Sequence, residues 1–440
     1  MTSHRRPYSN HVHQLTTYWQ SGGMILLAVG VGKLISFLWK LLLARSGPQA
    51  LGTVELALTV FTIVSSFALL GFHTALLRFV SVNSKNAKRS FALVSFTLRI
   101  VVAFGCLIVA LFLSKPEILA RVLRSSIQEL EFIQNYLWIA PLFAISELLW
   151  TYFAATKHIL LYSSVKYILH PALRLFALIV GLALGIQLRI LLLPHLAIAA
   201  VGTVTISLWR ALRFGSFFGQ SLSLKQAREF LSFSAPMSAS FLTFAVYGAL
   251  DVILLARHWG TEYIGLFAAL VVLSDIPDMV LIPLLNILQA YLSDSYTNVQ
   301  RGLRFVVTNM RLFFGVALVL SLTVYLIRRP LIVYLFGEQY EGIAGFLGWF
   351  LIVKIIQSTA VLPLRHFLDF YGHVRLTFFL MILSLGIKFA VGVSTVAAFG
   401  LTGIVAAQLS GVAVHLVGCA ATTWWVVQKD NKQRTQIRGV

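Results

Sequence analysis

The sequence predicts an all-α protein that crosses a membrane about twelve times. Three observations carry that reading. Hydrophobic residues make up 58% of the 440 residues and charged ones only 11%, with a mean hydropathy of +0.86. Apolar runs of about 20 residues, the length a helix needs to cross a bilayer, recur from end to end. Short polar turns join these runs and carry most of the basic residues.

In order, the runs cover roughly 21–43, 52–80, 91–113, 132–155, 163–185, 189–209, 234–256, 264–291, 305–327, 343–366, 376–397 and 401–427. The first follows a polar stretch and exceeds a signal-peptide core, so it is read as a retained span. Spans five and six are separated only by the polar gap from Gly185 to Arg189. Segment Arg329 to Gly337 is too short to cross and is expected at the interface. Residues Ser221 to Phe230 read as a short amphipathic linker between two halves, 1–220 and 221–440. With the N-terminus inside, the inner segments hold more than twice as many basic residues as the outer ones. That bias places both termini in the cytoplasm.

The formal net charge is +20. In a soluble chain it would point to nucleic acid; here basic loops and basic residues inside spans account for it, and no nucleic-acid partner is expected. Cys106 and Cys419 each sit in an apolar run, which fits core packing rather than a disulfide or a metal site. His11 and His13 read as solvated residues of a polar tail. No metal-protease, nucleophile-elbow or phosphate-loop motif is present, so neither a cofactor nor catalysis is expected.

The two halves repeat. LLAR at Leu42 to Arg45 returns at Leu254 to Arg257, each followed by a polar turn and a glycine, Gly52 and Gly265. Lys115-Pro116 after span three has its counterpart in Arg329-Pro330 after span nine. Six spans separate the copies. An even number preserves the direction of crossing, so the repeats are parallel about an axis along the membrane normal. Two six-helix bundles facing a central cavity follow.

Polar residues three and four apart line single helix faces within the spans. Span one has Gly30, Lys33, Ser36 and Lys40; span two has Glu55, Thr59, Thr62 and Ser66; span five has Lys166, His170 and Arg174. Span eight has Asp275, Asp278, Asn286 and Gln289, interrupted by Pro277 and Pro283; span ten has Lys354, Gln357 and Ser358. Asp251, Arg311 and Lys388 lie in spans seven, nine and eleven. Each has a structural alternative. Ser and Thr bond back to their own helix. Lys40, Lys166, Asp251 and Arg311 lie near enough to span ends to snorkel. Arg99 and Glu147 are of opposite charge and can pair. The deep set Lys33, Arg174, Lys354 and Lys388 would cost about 10–14 kcal/mol if left in lipid. These four, with Lys40 and Arg311, are the candidate substrate-binding residues for an anionic ligand. Glu55, Asp251, Asp275 and Asp278 are the candidate ion-coupling residues, for H+ or Na+, or simply balance the cations. Pro277 and Pro283 predict a bend in span eight.

The stretch LLLARSGPQALG, an apolar helix, then GFHTALLRFVS resembles the start of the polysaccharide-exporter branch of the multidrug/oligosaccharidyl-lipid/polysaccharide superfamily, in particular its O-antigen and capsule repeat-unit flippases. DVILLARHWGTEYIGLFAAL and VYLFGEQYEGIAGFLGWF resemble that branch's seventh and eighth helices and the approach to its tenth, so the resemblance covers nearly the whole chain. It implies the fold shared with multidrug transporters of that superfamily. It also implies a polyprenyl-diphosphate-linked oligosaccharide carried from the inner to the outer leaflet of a bacterial cytoplasmic membrane, with the lipid tail left among membrane lipids. A cation-coupled drug exporter would favour an acidic, aromatic cavity. A lipid II flippase typically has additional helices. A membrane glycosyltransferase, polymerase or ligase generally needs a larger extramembrane part than these loops offer.

Overall fold

The computed structural model describes residues 8–83, 86–123, 127–186, 188–213, 222–292 and 299–438. Every regular element among them is helical. The spans are Leu27–Arg45, Pro48–Leu69, Ala87–Ser114, Leu130–Ala155, Ile159–Ala183, Pro194–Leu212, Leu224–His258, a bent pair Gly260–Ser274 and Ile276–Ile282, Val299–Leu326, Glu338–Phe370, Val374–Phe399 and Leu401–Asn431. Counting the bent pair as one gives twelve. Lys115-Pro116 and Arg329-Pro330 open matching short helices, Pro116–Leu123 and Arg328–Phe336, after spans three and nine. The second is the segment expected at the interface.

Span one ends at Ser46-Gly47, where Gly47 has φ +114, and Pro48 opens span two. Proline suits that first turn because its missing N–H has no helical partner there. Span eight breaks by 47° at Asp275, just before Pro277, the bend that the prolines predict. Span two is where the sequence reading needs correction: 52–80 is not one helix. Leu70 (φ 45) and Gly71 (φ 64) are both left-handed, and the chain restarts as Phe72–Val82. A second correction concerns the linker. From Leu224 the chain is already the long helix of span seven, started by a capping box of Ser223 and Gln226. The expected boundary between halves falls within 214–221, outside the described residues, as does Ser221. His11 and His13 lie on the helix Tyr8–Arg45.

One buried core at the LLAR end draws on both halves: Trp39, Leu43, Leu51 and Val54 pack with Leu254, Ile264, Phe336 and Tyr340. Its centre is a backbone contact. A Cβ on Gly52 would lie 1.7 Å from the Thr261 carbonyl oxygen, and one on Gly265 would lie 1.8 Å from that of Pro48. Each glycine thus faces the residue four before the other, so the contact repeats itself across the pseudo-two-fold axis. Arg45 donates to the Tyr334 and Leu335 carbonyls (3.0 and 3.3 Å), and Tyr340 Oη donates to the Ala44 carbonyl (3.2 Å). At the opposite end the cores are separate. One is built on Leu69, Phe72, Phe91 and Tyr152 with Phe230 of span seven, the other on Leu285, Phe313, Phe367 and Cys419. Span seven links across there through Ser238, whose hydroxyl donates to the Leu70 carbonyl beside Gly71.

Candidate functional site

The second half holds two charged clusters. At the break of span eight, Lys354 Nζ bridges Asp275 Oδ1 and Asp278 Oδ2, the latter at 3.6 Å, and the Ser358 hydroxyl donates to Asp278 Oδ1. The break turns the two carboxylates toward span ten. There a π-helical turn, Gln357–Val361, follows Lys354 directly; such wide turns commonly mark functional sites. The cluster is partly open, with side-chain exposures of 22% for Lys354 and 31% for Asp275. Lys33 of span one is exposed.

The second cluster is closed. Lys388 Nζ donates to Asp251 Oδ2 (2.8 Å) and to the Tyr247 carbonyl (2.9 Å), and lies 4.3 Å from the Tyr247 ring centre. Gln408 Nε2 donates to the same Asp251 oxygen at 3.0 Å. The Lys388 and Asp251 side chains are only 2% and 4% exposed. Asp251 therefore does not snorkel; its charge is met by a lysine from span eleven. Removing one member of a pair this deep costs about 3–5 kcal/mol, because the other charge stays buried alone.

In the first half, Lys40 pairs with Glu55 at 3.0 Å and Lys166 with Glu147 at 2.9 Å. Neither lysine snorkels. The expected Arg99–Glu147 pair is corrected: Arg99 is exposed on span three, and Lys166 reaches Glu147 from span five. A π-helical turn, Ser164–Leu169, presents Lys166, which also lies 5.5 Å from the Trp150 ring. The hydroxyls of Thr59, Thr62 and Ser66 donate to carbonyls one turn back in their own helix, so the polar stripe of span two leaves Glu55 as its interacting charge.

Arg174 differs from all of these. Its guanidinium lies 3.8 Å from the Trp39 ring centre and donates to Ser36 Oγ at 3.4 Å, and its buried Nε makes no hydrogen bond. Trp39 is held in turn by an Nε1 bond to His195 Nε2 (3.1 Å), while His195 Nδ1 bonds the Leu191 carbonyl (2.9 Å). That pattern puts the imidazole proton on Nδ1. Arg311 is exposed on span nine and stands apart from these clusters. The side chains of Asn286 and Gln289 lie outside the described residues. Gln408, Tyr247, Trp39 and His195 escaped the sequence reading. The one available signal was the repeat, in which Trp39 and Asp251 each stand three residues before LLAR.

Residues 18–295 match the family described as "Polysaccharide biosynthesis protein". The chain belongs to that family. No curated protein matches it. Among solved structures, the fold is similar to an inward-facing multidrug resistance MATE family transporter of the MOP superfamily, at TM-score 0.72 and 15% identity over 93% of this chain and 98% of that one. It is also similar to an outward-facing transporter of the same description (TM-score 0.66, 14% identity, 94% and 96% covered) and to a Vibrio cholerae MATE transporter variant (TM-score 0.66, 16%, 94% and 96%). At these identities the likeness establishes the fold: two six-helix bundles around a central cavity. The apolar spans and this fold make the chain a polytopic membrane protein.

Proposed function

We propose that this protein is a flippase that carries a polyprenyl-diphosphate-linked oligosaccharide from the inner to the outer leaflet of a bacterial cytoplasmic membrane. The observation that carries the reading is Arg174. Among the described residues it is the intramembrane lysine or arginine with a buried, unbonded donor, and a guanidinium fork suits a phosphate better than any neutral sugar hydroxyl. Lys33, exposed on the neighbouring span, adds positive charge. Lys354 and Lys40 share theirs with carboxylates in partly open pairs, available when those pairs part. Lys388 is closed against Asp251, so its part is to hold the second half together, and Arg311 contributes least to the ligand. Glu55, Asp275 and Asp278 are then partners of the substrate-binding lysines as much as coupling groups.

In this reading both termini are cytoplasmic and the halves divide near residue 220. The shared core at the LLAR end then lies on the outer side, and alternating access consists of parting that core while the inner ends close. The lipid tail stays in the bilayer between the bundles.

The test is deletion of the gene followed by mass spectrometry of lipid-linked sugars. Complete repeat units should accumulate on the inner leaflet. Complementation by Arg174→Lys should exceed that by Arg174→Gln at equal protein level. Normal lipid-linked sugars with increased drug sensitivity would replace this reading with drug export.

A further inference from the structure

The carboxylates away from the ends of the described spans each meet a lysine from a neighbouring span. Glu55 meets Lys40, Glu147 meets Lys166, Asp251 meets Lys388, and Asp275 with Asp278 meets Lys354. We propose that these ammonium groups occupy the places an inorganic coupling cation would take, so that the transport cycle does not draw on sodium. The inference rests on the reading of the chain as a transporter, but it concerns the cation and not the cargo.

A hard cation is held by several oxygens, commonly with a carboxylate among them. The Asp251 cluster supplies such a set: the Asp251 carboxylate, the Tyr247 carbonyl and, with its amide turned over, the Gln408 side-chain oxygen. Lys388 Nζ already sits within 2.8 and 2.9 Å of the first two. A second cation would stand beside an ammonium among buried side chains, and Coulomb repulsion there is strong. At the break of span eight Lys354 likewise stands on both carboxylates, in a cluster that is partly open. Lys388 is tethered and closed in, so it fills its place at any sodium concentration, and the partly open pairs are vacated only when an anionic ligand takes their lysines. If the cycle uses an ion gradient, the proton is the ion these groups exchange.

The lysine at position 388 gives the sharpest test. Asp251 Oδ1 is buried and makes no hydrogen bond, so a vacated cage has a free oxygen as well as the bonds Lys388 gave up. The purified full-length protein is unfolded thermally in sodium chloride and in choline chloride at equal ionic strength. A ligand that binds only the folded state raises the midpoint as it is titrated in. The wild type should show equal midpoints in the two salts. Lys388→Met should gain a midpoint rise that saturates with sodium, and adding Asp251→Asn should remove it. Sodium-specific stabilisation of the wild type would overturn the proposal, and so would a folded Lys388→Met that ignores sodium. If Lys388→Met does not fold, the wild type and Lys354→Met decide by the same comparison. None of these readouts requires the cargo to be a lipid-linked sugar, so its failure is distinct from failure of the flippase reading.

Discussion

At equivalent places in the repeat, the two halves answer one cation in opposite ways. In the second half, Asp251 stands three residues before LLAR and closes on Lys388 of span eleven. In the first half, Trp39 holds that place and offers its ring to Arg174 of span five. The scaffold is the same. A carboxylate neutralises its partner and ties span seven to span eleven, whereas an indole supports its partner and leaves the charge unspent. The difference teaches that a repeated scaffold can close one copy of a polar contact and leave the other without a counter-charge, the copy that the proposed function gives to the ligand.

The comparison makes four predictions. Lys388→Met alone should lower stability by about 3–5 kcal/mol, and Lys388→Met with Asp251→Leu should recover most of it. Unfolding titrations of the purified protein measure both, and an equal loss in single and double variants would break the contrast. Next, leucine at Gly52 or Gly265 should cost about 1–3 kcal/mol by overpacking, and it should increase labelling of a cysteine placed at Arg45 as the shared core is wedged open. Unchanged labelling would mean that the glycine contact does not seal that end. Third, Arg174→Gln should reduce transport at least tenfold, about 1.4 kcal/mol of binding, with the unfolding midpoint nearly unchanged. Ser36→Asp should do the same by giving Arg174 the carboxylate that the first half lacks. A destabilised but active Arg174→Gln would make Arg174 a second Lys388. Last, Lys40→Gln should cost about 1–3 kcal/mol, less than Lys388→Met, since its pair with Glu55 is about a fifth exposed. A larger loss would place that pair with the closed one.

Much of the fold was legible in the sequence because length and hydropathy are local. The twelve runs, the parallel repeat and the proline-marked bend of span eight all reduce to spacing along the chain. The break of span two was not legible, since Leu70 is an ordinary apolar residue forced into a left-handed conformation beside a single glycine. The candidate site was legible as a set of residues and not as contacts. Lys388 meets Asp251 across 137 residues, and Gln408 meets it across 157; only packing decides such pairs. Arg99 was a reasonable partner for Glu147 by charge, yet it points out from span three while Lys166 points in. Direction around a helix of mostly apolar residues carries little signal, because lipid-facing and protein-facing sides look alike in composition.

The glycine contact at the LLAR end has a mechanical consequence. Surfaces that interlock by side chains must unpick many rotamers before they part, so their separation is slow and stepwise. Gly52 and Gly265 instead press bare main chain against main chain, a nearly smooth bearing on the axis that relates the halves. In the proposed cycle this contact separates without any rotamer change of its own, while the far ends, ~30 Å away across the hydrocarbon layer, close. A small residue on each side of the axis thus lets main chain meet main chain and part again in that cycle, without adding flexibility to any helix.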